Sequence, residues 1–296
     1  MKLQYDADLV EGVAFLEARR LEAGGQRLLA YRYDSARSKL YDIADPDERT
    51  LAFYQFHEKW FREFGFEDRL LAVLRQFPLI RNCSTTFLLR KAVSKKDEGA
   101  ELFVRPDANN VVLALRAERF IGDPTLDQFL RHEFCHIADM LDESFGYEPD
   151  LSLPDAPPAE LSLLRDRYRV LWDITIDGRL KHDGEKAKRF AEFTRAFLGR
   201  SAEVCERLWT GARPTHAELV ALATMTRLEA HNEPGGSCPL CRFPTFQWSG
   251  AEVLTPTVVE AVRQHFPQWT RARGCCARCA ELYAMKPLEQ PATLYV

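Results

Sequence analysis

The sequence predicts an α+β fold that is mainly helical, with a small β-sheet beside one strongly amphipathic helix and a cysteine-rich module at the C-terminal end. Three features predict it: helical start signals and spacing on both sides of residues 86–120, short β-prone runs within that interval, and two CxxC pairs after residue 235. The chain of 296 residues is 46% hydrophobic and 11% aromatic, with 15 Gly and 16 Pro. Such a chain buries a substantial core, is long enough for more than one domain, and is not wholly disordered. Its 40 Lys and Arg against 44 Asp and Glu leave a net charge of -4. That balance gives no broad attraction to nucleic acid or anionic membrane, so neither is an expected partner. The opening MKLQYDADLV carries Asp6 and Asp8 before any apolar stretch, unlike a secretory signal, and no later run approaches a membrane span. The expectation is a cytoplasmic protein with reduced cysteines.

Taken in order, residues 1–80 form a helical layer. Asp45 begins a D-P-D-E sequence that supplies an N-cap, a proline at the first helical position and Glu48 at the third, ahead of an aromatic-rich stretch to Phe64. Between Thr86 and Phe120 the runs TFLLRKAV, ELFVR and NVVLALRAERF read as strands separated by Lys/Asp/Gly and Pro/Asp/Asn turns. Lys95, Lys96, Asp97 and Glu98 read as a solvated loop beside Gly99. Thr125 and Gln128 form a capping box for a helix to about Asp142, and the Pro-rich stretch 149–158 leads into another from about Glu160 to Leu180. Helices near 184–199 and 216–230 follow, the latter opened by the Thr215/Glu218 box that contains His216. Glycine and proline at 233–238 mark a linker. The domains are then 1–80, 81–232 and 235–296.

His132, Glu133, Phe134, Cys135 and His136 spell HExxH inside the strongest of these helices. Two imidazoles at i and i+4 lie one turn apart on one face, where both can reach a single tetrahedral ion at about 2.0–2.1 Å. Leu126, Leu130, Phe134, Ile137 and Leu141 make one stripe, and His132, His136 and Asp139 lie on a nearly opposite face. Glu133 falls between the two, placed for a general base that touches water at the metal without occupying the metal.

An HExxH helix that follows a small sheet resembles the zincin metallopeptidases. The resemblance spans residues 86–182, and its specific part is the five-residue motif. It implies that His132 and His136 bind zinc, that Glu133 activates water to hydrolyse peptide bonds, and that residues 81–232 are a catalytic domain acting on a peptide or protein substrate. It also implies a third ligand downstream. In the gluzincin pattern a second helix carries an acidic ligand and, four residues later, an aspartate that orients the first histidine. LWDITIDGRL offers Asp173 and Asp177 four apart on one face, flanked by Ile176 and by Val170 and Ile174. Asp stands where the pattern has Glu, so which of the two is the ligand stays open, with spacing favouring Asp173. A metzincin arrangement would use Asp142, with Asp139 at the glycine turn. The Spartan-like DNA-protein crosslink proteases, which share an HExCH motif, would point to His182.

Cys238-Pro-Leu-Cys241 and Cys276-Ala-Arg-Cys279 are two knuckles with the spacing of a zinc ribbon carrying an insertion. Four thiolates close a tetrahedral structural site, so two zinc ions per chain are expected, one catalytic and one structural. Cys275 adjoins Cys276 and leaves open which of them is the ligand. Cys83, Cys135 and Cys205 read as ordinary buried thiols. His182, His231, His265 and Tyr147 could stabilise an oxyanion, and Arg179 is placed to pair with an acid. The alternative function is a non-catalytic zinc-binding scaffold or regulatory protein with a peptidase-like fold.

Overall fold

The chain opens with a strand, β1 (Lys2–Tyr5), where the sequence suggests only helix. Its four residues carry no periodicity of their own. They become a strand because β2 (Thr86–Lys91) offers a parallel edge, in the register Leu3 to Phe87 and Tyr5 to Leu89. Between them run α1 (Ala7–Ala23), α2 (Arg27–Ser38), α3 (Pro46–Glu63), α4 (Phe66–Leu74) and α5 (Pro78–Cys83). The D-P-D-E signal works as its chemistry requires, with Asp45 accepting from the N–H groups of Asp47 and Glu48 at the start of α3. A computed structural model describes residues 1–151, 158–197, 202–211, 213–224 and 236–285. It divides into two compact units, and no boundary falls at residue 80: the first unit comprises Met1–Pro149, Ile176–Asp183 and Pro214–Ala217. The N-terminal helices share one core with the sheet, since Leu9, Val10, Phe61, Phe66 and Leu70 cluster with Phe87, Leu89, Val111 and Phe134.

After β2 come β3 (Gly99–Arg105) and β4 (Ala108–Leu115), giving a four-stranded sheet in the order β1-β2-β4-β3. β2 and β4 are parallel, and β3 and β4 form an antiparallel hairpin. β3 is therefore an edge strand. The charge run before it is not all solvated, as the sequence suggests. Ser94 and Asp97 form a capping box, while Glu98 is buried, accepting from the Arg116 N–H at 3.1 Å and from Arg119 Nε at 3.0 Å. Arg119 also stacks over Phe129, 4.2 Å from its centroid. A buried carboxylate needs such partners, and these pin the start of β3 to the helix that follows.

That helix, α6 (Leu126–Leu141), buries Leu126, Leu130, Phe134 and Ile137 against the sheet. The Phe134 ring meets Phe77 and Phe87 edge-on at 5.7 and 5.8 Å. The Thr125/Gln128 box does not form. Asp123 instead accepts from the Thr125 N–H and hydroxyl at 2.8 and 2.7 Å, which turns the threonine side chain away from the helix start.

A second cluster holds Ala14, Ala18, Tyr33 and Trp60 between α1, α2 and α3. His57 is buried beside it, 5.9 Å from the stacked Phe53 ring and 5.1 Å from Phe56. Burial pushes its pKa below the ordinary value, with Glu11 raising it and Arg37 lowering it by smaller amounts. The unfolded chain then binds the proton that the folded chain refuses. Stability is full above about pH 6.5 and falls as pH drops below that value, by at most about 1.4 kcal/mol per pH unit for one proton. Between pH 7 and 5 the midpoint of thermal unfolding is expected to fall less in His57→Phe than in the native chain. Parallel curves for the two proteins would refute this.

The second unit contains Asp150–Thr175, Gly184–Arg213 and Glu218–Val296. α7 (Pro158–Arg179) runs unbroken through the residue at which the two units are divided. α8 (Lys186–Ala196) and α9 (Ala202–Thr210) are joined by Lys186, which reaches Glu206 at 2.8 Å. The expected helix near 184–199 is α8, whereas α9 has no counterpart in the sequence reading. α10 (His216–Thr224) is the described part of the expected 216–230 helix. The linker at 233–235 and His231 lie outside the described residues. The cysteine module then builds β5 (Gly236–Ser237), β6 (Pro244–Thr245), β7 (Trp248–Ser249), α11 (Pro256–His265), β8 (Cys275–Cys276) and α12 (Ala277–Ala284). Its small core joins Leu254, Val258, Val262 and Trp269 to the buried cysteines. Among the described residues no helix is long and apolar enough to cross a membrane.

Candidate functional site

Apolar packing on one side of α6 leaves its histidines on the other. His132 Nδ1 lies 2.8 Å from Asp177 Oδ1, near the end of α7. A carboxylate only accepts, so the hydrogen-bond network assigns the proton to Nδ1 and leaves Nε2 of the neutral ring as a donor to metal. His136 Nε2 stands 3.3 Å from His132 Nε2. Two nitrogens about 2.0–2.1 Å from one tetrahedral ion are about 3.4 Å apart, so the pair is spaced as two ligands of one metal. Asp173 stands one turn before Asp177 on α7, and one donor atom from each of His132, His136 and Asp173 falls within 4.8 Å of the others. Two imidazoles and one carboxylate suit a divalent cation.

Asp173 and Asp177 are thus placed differently although the sequence presents them as equals. Asp173 is in the ligand group, and its Oδ2 accepts from Arg189 Nη1 at 3.0 Å. Asp177 lies behind His132 and fixes its ring. Arg189 belongs to no motif in the sequence, and only the fold brings it to Asp173. Arg179 pairs with the buried Asp139 through both guanidinium nitrogens, at 2.9 and 2.5 Å. This bidentate pair joins α6 to the end of α7 one turn beyond His136.

Glu133 is held by the sheet. Its Oε2 accepts the Ala100 N–H of β3 at 2.8 Å. Opposite Ala100 in the hairpin stands Leu113. Since the Ala100 N–H goes to a side chain, it points off the free edge of β3, and by the two-residue period so do those of Leu102 and Val104. The bond from the Thr85 N–H to the Asn109 carbonyl fits this parity, since Asn109, opposite Val104, turns toward β2. Among the described residues no strand pairs with this edge of β3, and the candidate base sits at its end.

The other candidates lie outside the group of donor atoms. Asp142 Oδ1 accepts from the Ser144 N–H and hydroxyl at 2.9 and 2.7 Å, in the turn after α6. His182 is bonded to Asp177. Tyr147 packs against His216, which is buried, with ring centroids 5.5 Å apart. His265 Nδ1 is 3.1 Å from the Tyr283 hydroxyl in the cysteine module. Cys135 and Cys205 are buried, whereas Cys83, expected to be buried, is exposed at the end of α5.

Cys238, Cys241, Cys276 and Cys279 form the second group, with their sulfurs within 4.8 Å of one another. Cys241 Sγ and Cys276 Sγ are 3.8 Å apart, far longer than a disulfide. The same distance, about 3.8 Å, separates two sulfurs each about 2.3 Å from a tetrahedral ion. The first knuckle turns through Arg242 in the left-handed region at φ 64°, with its N–H on the Cys238 carbonyl at 2.8 Å. Such a residue costs about 1–2 kcal/mol there, and the closed turn must offset it. Backbone N–H groups aim at sulfur, from Cys276 to Cys238 Sγ at 3.2 Å and from Cys279 to Cys276 Sγ at 3.3 Å. Burial raises the Cys238 thiol, yet backbone N–H groups outweigh it and bring its pKa below the ordinary value. Burial pushes Cys276 and Cys279 up, helped at Cys279 by the neighbouring thiols and only partly opposed at Cys276 by its bonds with Cys279. Four thiols this close can all ionise only around a cation. Cys275, fully buried and pushed up to about 12 by burial and then by its neighbours, stays outside the group.

Fold and donor sets together define a mainly helical α+β chain with two candidate metal centres, one of mixed nitrogen and oxygen donors and one of four cysteines. No protein-family model, curated protein or solved structure matches the chain.

Proposed function

We propose that the protein is a zinc-dependent metallopeptidase of gluzincin-like type, with a catalytic zinc at His132, His136 and Asp173 and a structural zinc at the four cysteines. The observation that carries the reading is the pairing of an N₂O donor group with a carboxylate, Glu133, that sits next to the ligands on α6 yet is held off them by the Ala100 N–H. A carboxylate so held acts as a base rather than as a ligand. The four-cysteine group has the closed donor set of a structural site, whereas three ligands leave a position for reacting groups.

When bound, zinc supplies Lewis acidity that polarises a carbonyl and makes water acidic near neutral pH. The chain does the rest. Asp177 orients His132, and Arg189 and the Asp139–Arg179 pair steady the helices that carry the ligands. Glu133 takes a proton from the attacking water and passes it to the leaving amine nitrogen. The free edge of β3 favours a peptide over other hydrolysable substrates, because an extended backbone can add to it as a further strand. Its exposed Phe103 and Val104 lie along that edge.

The test is zinc content measured together with cleavage of a mixed peptide library. Two zinc ions per chain and cleavage support the reading; one ion, or none at the histidines, would remove it. Asp173→Ala is expected to abolish zinc at this centre. Asp177→Ala should weaken it by roughly 10- to 100-fold, the usual worth of a partner that orients a ligating histidine. The cysteine centre serves as the internal reference in the same samples. If Asp173→Ala holds zinc as tightly as the native chain, Asp173 is not the ligand.

A further inference from the structure

α7 ends in a turn that returns the chain to the helix. After Arg179 and Leu180 the chain turns through Lys181, whose φ of 54° lies in the left-handed region that glycine normally fills. The His182 N–H returns to the Asp177 carbonyl at 2.9 Å, and the Lys181 N–H to Gly178 at 3.1 Å. These are the two bonds of a Schellman turn, made here with a residue that pays steric strain to adopt it. The turn brings the His182 side chain back against the helix it has just left. His182 Nδ1 lies 3.0 Å from Asp177 Oδ1, the same oxygen that is 2.8 Å from His132 Nδ1. The His182 side chain is only 11% exposed and that of Asp177 only 2%.

We infer that His182 is a positioning residue for the histidine metal centre, acting through Asp177 on His132; the inference rests on the metal-binding reading of that centre. A buried carboxylate needs hydrogen-bond donors wherever its oxygens point. One oxygen that accepts from two imidazoles is fixed in place, and the His132 ring, bonded to it, is fixed in turn with Nε2 toward His136. Loss of the His182 N–H removes one of the donors on the shared oxygen. Asp177 can then rotate, and His132 loses the anchor that sets its tautomer and its aim. The strained turn at Lys181 agrees with this, because backbone strain persists where surrounding contacts require it. The HExxH motif and the Asp173/Asp177 pair do not predict a third element of this kind.

The test uses the full-length protein and three variants: His182→Ala, His182→Leu and His182→Asn. An asparagine amide places an N–H close to where Nδ1 stood, leucine fills the space without a donor, and alanine does neither. Zinc affinity at the histidine centre is measured by chelator competition, with circular dichroism and the occupancy of the cysteine centre recorded on the same samples. His182→Ala and His182→Leu are expected to bind zinc roughly 10- to 100-fold more weakly than the native chain, with His182→Asn restored to within a few-fold. Unchanged affinity in His182→Leu overturns the inference, as does His182→Asn being as weak as His182→Leu, which would make the role one of packing. Should His182→Ala fail to fold, the leucine and asparagine pair decides. A native chain that binds zinc only at the cysteines removes the proposed function itself, an outcome distinct from intact native binding with insensitive variants.

Discussion

Glu133→Gln is expected to keep the fold and both metals and to lose peptide hydrolysis by roughly 10²- to 10⁴-fold, the usual worth of a general base. The amide is close in shape to the carboxylate, and its oxygen still accepts the Ala100 N–H that holds Oε2 at 2.8 Å. It cannot accept a proton from water. The substitution therefore separates placement from chemistry at one atom, which truncation to alanine would not do. Cleavage at the native rate would remove Glu133 from the mechanism. Zinc loss in the variant would instead mean that Glu133 is a ligand, against its bond to β3. If the native chain holds zinc at His132 and His136 and cleaves no peptide in the library, the scaffold reading gains over the enzyme reading.

The largest effect on folding is expected from Cys238→Ser or Cys279→Ser. The module after residue 235 has few apolar residues to bury, and three of those in its core, Cys238, Cys276 and Cys279, belong to the four-cysteine group. Small metal modules draw on the order of 10 kcal/mol from binding the ion, comparable to the whole stability of a domain. Removing one thiolate should release the metal and unfold residues 236–285, read as lost amide protection in hydrogen exchange, while the histidine centre keeps its zinc. Cys275→Ser should leave the cysteine metal in place, because Cys275 lies outside the group. Loss of both metals together in Cys238→Ser would show that the module and the histidine centre fold as one.

Much of this was legible in the sequence because it is local. HExxH and CxxC are spacings within one or two turns of chain, and α6 follows its 3.6-residue stripe from Leu126 to Ile137. The D-P-D-E cap is equally local. Errors arose where a nearby group competed or a distant one took part. Asp123 displaced the cap expected of Thr125. Glu98 left solvent for Arg116 and Arg119 across the hairpin, and Lys2–Tyr5 became a strand through β2, more than eighty residues away.

By itself the sequence determined which residues are the candidates: two histidines and a glutamate on one helix, two aspartates on another, four cysteines at the end. Periodicity and ligand spacing are properties of a few bonds, and they survive without knowledge of the rest of the chain. Only the tertiary structure decided how those residues are placed relative to one another. Asp173 and Asp177 are equivalent on a helical wheel, and they become unlike only because His132 Nδ1 meets one of them and Arg189 the other. Glu133 is adjacent to the histidines in any helix, but its separation from them depends on an N–H from an edge strand thirty-three residues earlier. Hydrogen bonds of this kind are short-ranged in space and unrestricted in sequence, so the fold alone assigns their partners.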